Sequence, residues 1–174
     1  KKTGKPEFIT KGVLPARRDN AAVCREIYLD AAHMIMHCEP MEKVLNYAFE
    51  RADEMVAGQM SLEKLEITKA MGANYKNNSA PMKVCRDELR RIGRPAKPGD
   101  RLSYLVVERP GVKPLGLRKM LTSMYRDVIK MGEEPPKIDY VYYLERVLSH
   151  HFDQAFRIAY PEEIEYTKYH DLFE

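Results

Sequence analysis

The fold is decided by the stretch Ile138-Asp139-Tyr140-Val141-Tyr142-Tyr143-Leu144-Glu145-Arg146-Val147-Leu148-Ser149-His150-His151-Phe152-Asp153-Gln154-Ala155-Phe156-Arg157-Ile158-Ala159-Tyr160-Pro161. Within it Tyr140, Tyr143, Leu144, Val147, Leu148, Phe152, Ala155, Phe156 and Ala159 recur at helical spacing and define one wide apolar face. Asp139 stands where a carboxylate caps the first turn, and Pro161 stops the helix. The pattern predicts a helix over 140–159, and a face that broad must be buried against other elements.

Working outward, the rest of the chain supplies those elements. Val23, Ile27, Ala31, Met34 and Ile35 predict a helix over 20–37 with Asp19 as its cap. Met41, Val44, Leu45, Ala48, Ala52, Met55 and Val56 predict a second over 40–59, with Pro40 in the first turn and Gly58 near the stop. Leu65 to Lys69 alternates apolar and polar and reads as a short strand, followed by a loop from Gly72 to Pro81. A third helix over 82–92 carries Met82, Cys85, Leu89 and Ile92 on one face and ends at Gly93. Pro98-Gly99-Asp100 is a turn, Leu102 to Val107 a strand, and Leu117 to Met131 a weaker helix whose apolar residues form no clean stripe. The expected class is mainly α, with a few short β segments. Met34, Met36, Met41, Met55 and Met60 read as packing filler. Tyr140 and Tyr143 read as core rather than as base-stacking platforms.

The 174 residues suit one domain, 44% hydrophobic and 32% charged, which excludes a disordered tail and a bilayer-spanning bundle. There is no run long and apolar enough for a membrane span and no signal-peptide pattern at Lys1-Lys2-Thr3-Gly4-Lys5-Pro6, so no membrane partner is expected. The absence of an initiator Met fits a piece of a longer chain. Cys24, Cys38 and Cys85 are odd in number without C-x-x-C spacing, which points to a reducing compartment rather than a disulfide framework. Phosphate-loop, dinucleotide, nucleophile-elbow and H-E-x-x-H signatures are all missing. His33 and His37 lie one turn apart with Cys38 adjacent and could supply metal ligands, but no fourth ligand is evident and surface histidines are the expected reading.

The net charge of +3 decides nothing by its size. Its placement is more telling, because Lys1, Lys2, Lys5, Lys11, Arg17 and Arg18 concentrate in the first 18 residues. Such a segment is either a solvated tail or a phosphate-binding one.

Lys11-Gly12-Val13-Leu14-Pro15-Ala16-Arg17-Arg18-Asp19-Asn20 resembles the K-G-[IV]-x-x-x-R-R-D-N element of family B DNA polymerases, where the palm passes into the thumb. Further blocks follow in the family's order. Leu65 to Lys69 is similar to its [VI]-I-T-K segment, and Pro81 through Leu89 to Gly93 to its P-H-V-x-V-A-x-x-L-x-x-x-G helix. Gly99-Asp100-Arg101-Leu102-Ser103-Tyr104-Leu105-Val106-Val107 resembles the G-D-R-x-x-Y-V-[IV] turn and strand, and Ile138 to Leu144 the I-D-Y-x-Y-Y-[LI] start of the last thumb helix. Met82-Lys83 replace the usual His-Val, and residues 111–134 match no family pattern; departures of this kind occur among the polymerases of large DNA viruses.

The resemblance implies a helical thumb over 19–160, a palm–thumb junction over 1–18 and a C-terminal segment over 161–174. It implies a DNA-directed DNA polymerase, a nucleotidyltransferase, in which Mg2+ ions sit in the palm. The palm motifs D-x-x-S-L-Y-P and Y-x-D-T-D-S do not occur in these residues, so no catalytic residue, metal ligand or cofactor is expected here, and this piece alone should not polymerise. Asp19, Asp100 and Asp139 match capping or turning positions. The implied partners are primer–template duplex DNA, the remaining polymerase chain and a processivity factor, at an intracellular site, the nucleus or a cytoplasmic viral replication site. Lys11, Arg17, Arg18, Lys69, Tyr75, Arg86 and Arg101 are the candidate DNA contacts. The alternatives are that Arg101 braces the Asp100 turn, that Arg17 or Arg18 pairs with a carboxylate, and that the whole is a helical protein-interaction domain with a fortuitous basic end.

Overall fold

A computed structural model describes residues 20–76, 80–147 and 150–160. Four early helical and strand elements run as α1 (Ala22–Met36), α2 (Met41–Val56), the single turn α3 (Leu62–Leu65) and β1 (Ile67–Ala70). They are followed by α4 (Pro81–Arg91), β2 (Arg101–Val106), a 3-10 turn (Leu115–Arg118), β3 (Lys119–Leu121), α5 (Thr122–Lys130), α6 (Tyr140–Val147) and α7 (His150–Ala159). The mainly helical expectation holds, with one three-stranded sheet in the order β1-β2-β3.

Several boundaries differ from the sequence reading. Ala21, without a side-chain hydrogen bond, occupies the α1 N-cap, and the expected cap Asp19 lies outside the described residues. Leu65 closes a helical turn instead of opening a strand, because β1 is only as long as its pairing with β2. The helix expected over 117–131 splits into the 3-10 turn, β3 and α5. Lys119 and Leu121 there meet Val106 and Tyr104 of β2, and that pairing overrides any helical tendency of so short a run. The helix over 140–159 is described as α6 and α7, with 148–149 outside the described residues.

The main core lies between the sheet and the helices around it. Tyr104, Leu105, Val106 and Val107 are wholly buried, together with Val23, Ile27, Met55, Cys85 and Tyr143. Helix α6 locks this core from two directions. The Val106 N–H donates to the Tyr143 hydroxyl oxygen at 3.1 Å, and the Cys24 thiol donates to the Tyr143 carbonyl at 3.7 Å. Tyr143 is core, as expected, and Tyr140 packs partly buried against the same cluster. Tyr142, outside the expected face, is also buried, and α6 packs against both α1 and α2. A smaller cluster joins α1, α2 and α7 through Tyr28, Ala31, Val44, Ala48, Phe156 and Tyr160.

Asp139 caps α6 as expected, accepting from the Tyr142 N–H at 3.1 Å, and pairs with Arg118. Met55 and Met60 fill the core and Met34 and Met41 its smaller neighbour, but Met36, read as filler, is 64% exposed at the end of α1. Among the described residues no helix is long and apolar enough to cross a membrane.

Candidate nucleic-acid interface

Of the seven candidate contacts, Lys11, Arg17 and Arg18 lie outside the described residues. The other four gather where β1 leaves the sheet and β2 enters it. Ala70 pairs with Arg101 and Lys69 with Leu102, so Lys69 and Arg101 occupy neighbouring rungs. Successive rungs alternate faces, and the two cations therefore project to opposite sides of the sheet.

The turn that delivers Arg101 is stiffly built. Gly99 takes φ 94°, a left-handed conformation that suits glycine. Its N–H donates to the Met71 carbonyl at 2.8 Å, and the Met71 N–H donates to the Asp100 carbonyl at 2.8 Å. The Asp100 carboxylate accepts from the Lys97 N–H at 2.7 Å. That carboxylate is committed to its own turn, and no ion pair joins it to Arg101, which is exposed. The bracing alternative for Arg101 is thus not what the structure holds.

Tyr75 and Arg86 meet each other. The Arg86 guanidinium carbon lies 5.5 Å from the centre of the Tyr75 ring, the Arg86 Nε donates to Asp87 at 3.3 Å, and the Tyr75 hydroxyl accepts from the Gly72 N–H. This pair ties the loop after β1 to α4, and both groups are already engaged within the fold.

Sequence reasoning missed two features. The first is Lys119, only 3% exposed, whose ammonium donates to the Tyr104 hydroxyl at 2.8 Å and lies 4.0 Å from that ring's centre. By register Lys69, Leu102, Tyr104, Val106 and Lys119 share one face of the sheet. Burial pulls the Lys119 pKa down to about 7, and the positive charge of Lys69 pushes the same way. Burial also raises the Tyr104 phenol. No local pattern in Lys119-Met120-Leu121 marks it as a strand, because its pairing partners lie in β2.

The second feature is the connection from α4 to β2. Arg90, Arg91, Arg94, Lys97 and Arg101 are all exposed along it, with Asp100 the only acid between the first and last of them. The spacing of cations was visible, but only the structure puts every one of them in solvent.

Among the described residues no group of three or more His, Cys, Asp or Glu converges on one point. Asp100 and Asp139 are held by backbone N–H groups, and Asp139 by Arg118 as well. These two carboxylates are therefore engaged within the fold rather than turned toward an ion.

A family model, DNA polymerase family B, matches residues 1–157. The chain is 28% identical over 141 residues to a DNA polymerase of Acanthamoeba polyphaga mimivirus, covering 77% of this chain and 8% of that protein. It is 26% identical over 151 residues to a DNA polymerase of Pyramimonas orientalis virus, covering 85% and 12%. It is also 26% identical over 146 residues to the DNA polymerase delta catalytic subunit of Glycine max, covering 80% and 13%. The solved family B DNA polymerase of the hyperthermophilic archaeon Pyrobaculum calidifontis superposes with a TM-score of 0.63 at 25% identity, over 82% of this chain and 18% of that one. The chain thus spans only a small part of the length of the relatives it matches.

Proposed function

Because the chain belongs to DNA polymerase family B, we propose that it is the thumb, gripping the primer–template duplex through its phosphate backbone while the palm carries out two-metal nucleotidyl transfer. The supporting observation is the exposed cationic series Arg90, Arg91, Arg94, Lys97 and Arg101, which ends on a rigid turn beside Lys69. A rigid mount suits backbone contacts, because phosphate contacts fix position and register but carry no base code. A thumb must accept every sequence, and long cations on a stiff turn provide that. Tyr75 and Arg86 act in this reading as the brace that holds the loop behind Lys69.

In the same reading Lys11, Arg17 and Arg18 extend the grip toward the palm. The Mg2+ ions are assigned to palm carboxylates, and the other partners are the rest of the polymerase chain and a processivity factor. The place of work is the nucleus or a cytoplasmic viral replication site.

The test is fluorescence anisotropy on a labelled primer–template with Lys69→Ala, Arg101→Ala and the double variant. Each lost phosphate contact should lower the slope of log affinity against log salt by about 0.9. Affinity and slope unchanged in the double variant would refute the assignment.

A further inference from the structure

Helices α2, α4 and α5 end alike. Each closes on a glycine at positive φ, namely Gly58, Gly93 and Gly132. In each, the next residue's N–H donates back five positions, Gln59 to Glu54, Arg94 to Leu89 and Glu133 to Val128. Helix α1 ends on the same bonds, with the Cys38 N–H donating to Ile35 at 2.9 Å and the Glu39 N–H to Met34 at 3.1 Å. Here, however, a cysteine at φ 55° holds the left-handed position. Just before it stand two exposed histidines, His33 in the last turn and His37 at the C-cap. Their Nε2 atoms are 3.1 Å apart and their ring centres 4.3 Å apart.

We propose that His33 and His37 form a two-imidazole site for a divalent transition-metal ion of the copper, nickel and zinc class. The bite of the pair carries the argument. With metal–nitrogen bonds of about 2.05 Å, a nitrogen separation of 3.1 Å subtends about 98° at the ion, between a right angle and the tetrahedral angle. Both square-planar and tetrahedral preferences are within a small ring rotation of that geometry.

The backbone holds the two donors in register, because the His37 N–H donates to the His33 carbonyl at 3.1 Å. The site also lies at the C-terminal end of α1, where the helix dipole favours a cation. No third His, Cys, Asp or Glu joins them among the described residues, so water fills the remaining positions. Mg2+, which takes oxygen ligands, has no place there. An ion bound to both rings ties the last turn of α1 to its cap and so holds the turn into α2.

Calorimetric titration of the chain with Cu2+, Ni2+, Zn2+ and Mg2+ tests this. One ion per chain is expected, with Cu2+ tightest, Mg2+ silent, and a rise in thermal midpoint on binding. His33→Ala and His37→Ala should each weaken binding at least tenfold, and the double variant should abolish it. Both side chains are exposed, so these variants keep the fold, checked by circular dichroism. Cys38→Gly should leave binding intact. No binding by the wild-type chain, undiminished binding in the double variant, or loss of binding in Cys38→Gly would overturn the two-imidazole site.

Discussion

Replacing Lys119 by Met tests the interior directly. Lys119 is 3% exposed, and its pKa falls from 10.5 in the unfolded chain to about 7 in the fold. Between those values the unfolded chain holds a proton that the folded chain has lost, so stability rises with pH across the window. The lowered pKa costs about 4 kcal/mol at pH 7 and somewhat under 3 kcal/mol at pH 8.5. Wild type should therefore gain about 1 to 2 kcal/mol over that interval, and Lys119→Met should gain nothing from this source.

The absolute change on substitution is less informative, because Met leaves the Tyr104 hydroxyl buried without its 2.8 Å partner, at a cost of about 1 to 3 kcal/mol. The pH slope isolates the amine. Cys24 and Cys85, raised by burial to about 12, contribute stability that is fully present below the unfolded thiol value of 9 and is lost only as pH rises toward 12. Their loss over the interval is small and nearly the same in both proteins. Urea unfolding at pH 7.0, 7.5, 8.0 and 8.5 gives the two slopes. Parallel lines for wild type and Lys119→Met would refute the claim that burial lowers the Lys119 pKa.

Three further outcomes follow from single sites. Cys38→Gly should stabilise the chain by about 1 kcal/mol, read from the urea midpoint at constant m, because glycine accepts φ 55° without the steric cost that cysteine bears. Asp139→Asn should keep the cap on the Tyr142 N–H while losing the Arg118 ion pair, whereas Asp139→Ala loses both; the alanine variant should be the less stable by about 1 kcal/mol in thermal unfolding. Native thiol labelling with a chromogenic disulfide at pH 8 should report one fast group, Cys38, with Cys24 and Cys85 reacting only after unfolding, since burial raises both thiols to about 12.

Much of the helical framework was legible because its signals are local. Gly58 and Gly93 mark helix ends by the conformation they alone take easily, and Asp139 caps α6 by a bond within one turn. What escaped depends on partners distant in sequence. Lys119-Met120-Leu121 is a strand only because Tyr104 and Val106 lie opposite, and nothing within three residues can announce that. Tyr142 is absent from the expected stripe because a single stripe describes one buried face, while α6 packs against both α1 and α2. At the interface, the Pro98-Gly99-Asp100 turn was legible, but neither the register that sets Lys69 and Arg101 on neighbouring rungs nor the commitment of Asp100 to Lys97 was. Lys119 was invisible for a physical reason, since a lysine is among the residues least expected inside a core.

The central claim is that this chain holds duplex DNA by its phosphates and not by its bases. The most direct test is the wild-type chain's affinity for two primer–templates of unrelated sequence, measured from low to moderate salt. The account predicts two superimposable lines of log affinity against log salt, falling by about 0.9 for every phosphate contacted. A flat salt response, or lines separated according to sequence, would contradict it.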